Sequence, residues 1–155
     1  MSVKPIPDGY HSITPYLIVR DGAAALAFYA QAFGATERMR MPRPDGKVAH
    51  AEIDIGNSCV MMADEHPEMG AVGPAADSGW SVGLCLYVED CDAVFNRAVA
   101  AGAKVLRPLE NQFYGDRSCT VEDPFGHKWT ISTHKEDLTP EEVVARMAKM
   151  GLCEG

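Results

Sequence analysis

TPYLIVRD, residues 14–21, and GLCLYVED, residues 83–90, are the two stretches on which the reading of this chain turns. Laid over one another, they set Leu17 on Leu86, Val19 on Val88 and Asp21 on Asp90. Each is a short apolar strand that ends at an aspartate, and each aspartate is followed by a helical pattern. After Asp21, residues Leu26, Tyr29, Ala30 and Phe33 recur at helical spacing; after Asp90, residues Phe95, Ala98 and Val99 do the same. The two aspartates are suited to cap the free N–H groups of a first helical turn. Gly34 and Gly102 end the helices, because glycine enters the left-handed conformation without a Cβ clash. Both glycines precede an alanine, so one ordered set of features occurs twice.

Three strand candidates follow each helix. In the first half they are ATERMRM (35–41), VAHAEIDI (48–55) and SCVMMA (58–63), with Pro44-Asp45-Gly46 as the turn between the first two. In the second half they are KVLRPLE (104–110), DRSCTVED (116–123) and HKWTIST (127–133), with Asp123-Pro124-Phe125-Gly126 as the last turn. The repeat predicts one α+β domain over residues 1–155, made of two βαβββ modules at about 11–63 and 81–134. Residues 64–80, rich in Gly, Pro, Ala and acid, read as a surface linker. A further helix is expected over about 139–150, with Thr139 as cap, Pro140 at the first position and Glu142 completing a capping box. Its apolar edge, Val143, Met147 and Met150, could cover the domain's own core or pack on another subunit.

Composition narrows the function classes. The net charge is −8 and the basic residues form no run, which argues against nucleic acid, whose binders need a basic stripe. No window approaches the roughly 20 apolar residues of a membrane span. The opening MSVKPIPDGYHS contains no apolar run of signal-peptide type. The five cysteines, Cys59, Cys85, Cys91, Cys119 and Cys153, are odd in number and lack CxxC spacing. Cys59, Cys85 and Cys119 fall in apolar runs, where a thiol serves as a small hydrophobe. A reducing, cytoplasmic setting is expected.

Four segments together carry a family resemblance: ITPYLIVRD (13–21), AFYAQAFGA (27–35), LYVEDCDAVFNRAVAAGA (86–103) and VEDPFGHKWTIST (121–133). Over about residues 11–134 the chain resembles the vicinal-oxygen-chelate superfamily of glyoxalase I, bleomycin-resistance proteins and extradiol dioxygenases. Within it the chain is most similar to the PhnB-like branch. The resemblance implies two curved mixed sheets around a cleft, commonly completed by a second subunit, so a homodimer is expected. It also implies four metal-ligand positions, filled in metal-dependent members by His, Gln or Glu. Carried over, these fall on Thr14, on Gly83, on Thr130, and on Val60 or its neighbours Met61 and Met62. None of these offers a hard cation a charged oxygen or an imidazole, so no metal or other cofactor is expected at the usual site. His50 and Glu52 alternate onto one strand face and, with His11, could rebuild a metal site; the alternative is that they face solvent. His66 and His134 read as surface residues.

NQFYGDR (111–117) is the most polar cleft candidate. Phe113 and Tyr114 offer flat contact area, Arg117 offers a fork of donors, and Asp116 can position Arg117 or accept a proton. The alternative there is a tight turn with a surface ion pair. Thr14 and Tyr16 share a strand face, and Met62 could floor a soft pocket. The expected ligand-binding set is therefore Thr14, Tyr16, Met62, Phe113, Tyr114, Asp116, Arg117 and Thr130. The leading expectation is a glyoxalase/bleomycin-resistance-like protein that binds a small, largely apolar or aromatic molecule without the family's metal. The alternatives are a glyoxalase-type lyase or isomerase or a dioxygenase with relocated ligands, and a homo-oligomeric interaction subunit. No catalytic residue stands out.

Overall fold

The computed structural model describes residues 2–151; Cys153 lies outside them. Strand β1 (Tyr16–Val19) leads through Asp21 into helix α1 (Gly22–Phe33). The Asp21 carboxylate accepts the Ala24 N–H at 3.0 Å, and Gly34 closes the helix at φ 69°. Strands β2 (Thr36–Pro42), β3 (Val48–Ile55) and β4 (Ser58–Asp64) complete the first sheet in the order β1-β4-β3-β2. The second half repeats this with β5 (Gly83–Tyr87), α2 (Cys91–Ala100), β6 (Lys104–Asn111), β7 (Asp116–Glu122) and β8 (Lys128–His134). Its order is β5-β8-β7-β6. In each sheet the first and last strands run parallel and the remaining pairs are antiparallel. A third helix, α3 (Pro140–Lys149), is appended. This is the α+β architecture that the duplicated sequence predicts.

The duplication reaches down to single hydrogen bonds. Asp64, which the sequence reading sets at the head of the linker, is the buried last residue of β4. Its carboxylate accepts the N–H of Gly22 at 2.9 Å and of Val48 at 2.7 Å. Thr133 does the matching task in the second module. Its hydroxyl accepts the Cys91 N–H at 2.9 Å and donates to the Val88 carbonyl at 2.8 Å. In both modules a side chain of the last strand satisfies the first N–H of the helix, one of the groups a helix cannot satisfy itself. Gly22 is required there, since a Cβ would stand 2.8 Å from both Val48 Cβ and an Asp64 oxygen.

The core lies between the helices and the inner sheet faces. Helix α1 buries Ala25, Leu26, Phe28, Tyr29, Ala32 and Phe33, while Ala30, expected inside, faces out. Helix α2 buries Cys91, Val94 and Ala98 and leaves Val99 exposed, so its stripe is rotated from the expected one. Phe28, Tyr29 and Phe33 of the first module interlock with Phe125 and Trp129 of the second, with Phe33 and Trp129 centroids 4.7 Å apart.

Asp123 sits inside this aromatic cluster at 3% exposure. Its carboxylate accepts the Tyr29 hydroxyl at 2.5 Å and the Trp129 indole N–H at 2.9 Å. It also accepts the backbone N–H groups of Phe125 and His127, at 2.9 and 3.0 Å, within its own turn. Burial, reinforced by the adjacent Asp123, pushes the Tyr29 phenol well above its ordinary value, so it remains a donor. Asp123→Ala is expected to lower the unfolding free energy by about 3–5 kcal/mol, because four donors lose their acceptor. Tyr29→Phe removes one donor and should cost about 1.5–3 kcal/mol. Urea unfolding followed by tryptophan fluorescence measures both.

Candidate functional site

Each sheet turns one face to its helix and leaves the other open, so strand alternation decides which side chains are available. In the second module, register aligns Cys85, Thr130, Thr120 and Arg107 across β5, β8, β7 and β6. The adjacent rows hold Tyr87, Ser132 and Ser118 on one side, and Lys128 with Glu122 on the other.

A pocket of about 250 Å³ opens on this face. Ser118, Thr120 and Thr130 line it with hydroxyls, Phe113 and Tyr114 form an aromatic wall, and Arg107, Gln112, Cys119 and Lys128 complete the lining. The two aromatic rings meet edge to face with centroids 5.3 Å apart. Tyr114 lies 3.5 Å from the Ser118 hydroxyl, and Thr120 and Thr130 hydroxyls are 3.5 Å apart. Those separations are at the outer limit of a hydrogen bond, so the hydroxyls retain donor capacity for a ligand.

The wall is anchored from behind. The N–H of Gln112 donates to the Asp116 carbonyl at 2.7 Å, and the Gly115 carbonyl accepts Lys135 and Glu136 N–H groups, each at 2.9 Å. Gly115 has φ 99°, and a Cβ there would stand 2.6 Å from the Glu136 carbonyl oxygen, so no other residue fits. Arg146 of α3 donates to the Phe113 carbonyl at 3.3 Å and grips Glu136 through two hydrogen bonds of 3.1 and 3.0 Å. No residue of α3 is buried, so this helix braces the wall rather than covering the core.

Asp116 is itself buried beside the pocket and accepts the Tyr87 hydroxyl at 2.7 Å. That bond pushes the Tyr87 phenol up to about 12. His134 places Nδ1 2.8 Å from Asp116 and Nε2 2.7 Å from Asp137. The Asp116 bond first, and Asp137 second, raise the histidine above its usual value. A histidine raised in the folded state stabilises fully below its unfolded value of about 6.5, and the effect fades as pH rises through the folded value. The melting-temperature difference between wild type and His134→Gln should therefore be largest in mild acid and shrink in alkali. Thermal melts across that range, on both proteins, measure it.

The remaining predicted site residues lie elsewhere. Arg117 stands on the helix side of β7, with Cys119 and Val121, and holds the Asp92 carboxylate of α2 at 2.7 and 3.1 Å. Met62 is fully buried in the core; its neighbour Met61 is the one on the open face, in register with Tyr16 and Glu52. Thr14 lines a cavity of about 590 Å³ at the junction of the modules, beside Cys85 and Trp129. Cys85, read as a core thiol, is exposed there because β5 is an edge strand. A depression of about 800 Å³ between the β3–β4 turn and α2 holds none of the predicted site residues.

On the open face of the first sheet a chain of hydrogen bonds runs through four side chains. Tyr16 meets His50 Nδ1 at 2.8 Å, His50 Nε2 meets Glu52 at 3.1 Å, and Tyr10 donates to the other Glu52 oxygen. Tyr10 and His50 together hold the Glu52 carboxyl below the usual carboxylate range. The Arg38 guanidinium lies 4.7 Å over the Tyr10 ring. His11 is apart, with Nε2 3.2 Å from the Asn57 carbonyl.

With this geometry, residues 9–131 match the family model of the Glyoxalase/Bleomycin resistance protein/Dioxygenase superfamily. The chain belongs to that superfamily. The Mycobacterium bovis protein Mb0911c is 41% identical over 143 residues, spanning 90% of this chain and 94% of that protein. Among solved structures, TioX from Micromonospora sp. ML1 is 28% identical with a TM-score of 0.63, covering 80% of this chain and 98% of TioX. The PhnB protein of Bacillus cereus shares the fold at 20% identity and a TM-score of 0.63, over 79% of this chain and 99% of its own.

The superfamily's metal does not fit the residues present. The resemblance carries its four ligand positions to Thr14, to Val60 or its neighbours Met61 and Met62, to Gly83 and to Thr130, which supply two neutral hydroxyls, an apolar or thioether group and no side chain. Thr14 and Thr130 moreover line different cavities. His50 and Glu52 are adjacent, but Tyr16 and Tyr10 occupy their remaining polar atoms. Among the described residues no group of three or more His, Cys, Asp or Glu is arranged to hold a metal. No helix there is long and apolar enough to cross a membrane.

Arg107, Lys128, Ser118 and Thr120 escaped the sequence reading. Lys128 and Ser118 share a strand face with Thr130 and Thr120, so alternation from Thr130 would have found them. Arg107 lies between two register shifts in β6, and plain alternation assigns it the wrong face.

Proposed function

We propose that this superfamily member is a small-molecule-binding protein of the glyoxalase/bleomycin-resistance type that does not use the family's metal chemistry. Its ligand is a small, partly aromatic molecule held in the second-module pocket. The observation that carries this reading is an aromatic wall of Phe113 and Tyr114 beside three hydroxyls whose only hydrogen bonds among the described residues are long, at 3.5 Å. A few fixed polar groups beside apolar contact area are the usual make-up of a ligand site. At about 250 Å³ the pocket suits one ring rather than several. The free thiols Cys59, Cys85, Cys91 and Cys119 support action in a reducing compartment, the cytoplasm.

The same reading makes the protein a homodimer. Tyr16, Met39 and Met41 on the open face of the first sheet, and Trp80 and Val82 beside Tyr16, are exposed apolar side chains that a second copy would cover. Replacing Met39 and Met41 by aspartate should shift sedimentation equilibrium towards the single chain.

Titration with benzamide, a neutral single-ring probe, followed by tyrosine fluorescence tests the binding role. Tyr114→Ala should weaken binding about tenfold, the size of one lost aromatic contact. Arg117→Gln should leave it unchanged, because Arg117 is committed to Asp92. Elemental analysis of the purified protein should find far less than one metal per chain. Stoichiometric metal would sink the metal-free reading and return attention to His50 and Glu52.

A further inference from the structure

Resting on the binding role proposed above, the charges around the pocket narrow the ligand class. The charged side chains in its lining are Arg107 and Lys128, both cations, in a chain of net charge −8. Neither lies within 4 Å of a carboxylate among the described residues. By contrast Arg20, Arg38, Arg40, Arg43, Arg117 and Arg146 each hold one. Glu122 is the cross-strand partner of Lys128, and Glu110 that of Ser118, yet neither carboxylate pairs with a pocket cation or lines the pocket. The buried carboxylate of the same face, Asp116, is taken by Tyr87 and His134.

Lys128 is also held in place. Its ammonium lies 5.8 Å over the Trp80 ring, and Trp80 is fixed by its indole N–H donating to the Gly126 carbonyl at 3.0 Å. Two cations without carboxylate partners therefore share this lining with three hydroxyls whose hydrogen bonds are long, at 3.5 Å. Such a set offers donors and positive charge and presents no carboxylate. A guanidinium adds a planar fork that matches carboxylate or phosphate oxygens.

We propose that the pocket binds an anion: a small aromatic carboxylate or phosphate monoester. Its charged group lies between Arg107 and Lys128, accepts hydrogen bonds from Ser118, Thr120 and Thr130, and its ring packs on Phe113 and Tyr114. The test is isothermal titration of the full chain at low salt with benzoate, phenyl phosphate and neutral benzamide. Wild type, Arg107→Gln and Lys128→Gln are compared; both positions lie on an open sheet face, so the fold is retained. At least one anion should bind tenfold or more tighter than benzamide, and each substitution should erase about tenfold of that advantage while changing benzamide binding far less. Added potassium chloride should weaken the anion and not the neutral probe. Benzamide binding as tightly as both anions, or anion binding indifferent to both substitutions, overturns the anion assignment and leaves the binding role standing. Failure of all three probes to bind overturns the binding role with it.

Discussion

A single buried carboxylate, Asp123, sets the terms on which the two halves of this protein meet. An ionised group in an apolar interior is tolerated only when its oxygens are fully hydrogen-bonded. The second module supplies the carboxylate, two backbone donors and the Trp129 indole, and the first supplies the Tyr29 hydroxyl. Each half is therefore incomplete alone, although each repeats the same strand and helix order. The bond also fixes the phase of β8. With Trp129 drawn inward to Asp123, its neighbours Lys128 and Thr130 must point to the open face, because side chains alternate along a strand. The pocket on one side of the sheet is thus a consequence of a hydrogen bond on the other.

The duplicated backbone carries two unlike surfaces. On the first sheet, Tyr10, Glu52, His50 and Tyr16 satisfy one another in a closed chain of hydrogen bonds. On the second, the hydroxyls are paired only at 3.5 Å and the nearby cations Arg107 and Lys128 lack carboxylate partners among the described residues. Polar groups that have spent their bonds within the protein offer little to a solute, and those that have not are available. That difference, rather than cavity size, locates the candidate site in the second module.

Local chemistry made the fold readable in the sequence. The strand-ending aspartates, the glycines after each helix and the Asp123-Pro124-Phe125-Gly126 turn act within a few residues of themselves, and all occur where expected. The site was less readable. Phe113, Tyr114 and Thr130 do come together, because they belong to one loop and an adjoining strand face. Arg117 has the chemistry of a pocket residue, while its alternation with Cys119 and Val121 assigns it to the helix side. Met62 was misplaced for the same reason, one residue from Met61. Tyr10 and Glu52 are 42 residues apart, and no local pattern foretells that bond.

The outer strands of the two sheets share one more property. Strand β2 carries two register shifts and ends at Pro42, and β6 carries two register shifts around Pro108. A bulge twists a strand out of line, and proline removes an N–H from the ladder, so neither edge offers an even row of free backbone groups. Extended segments of other chains find no even template at β2 or β6, and edge-to-edge stacking is blocked at that one flank of each sheet. The open faces of the two sheets can then stay open without inviting aggregation through β2 or β6.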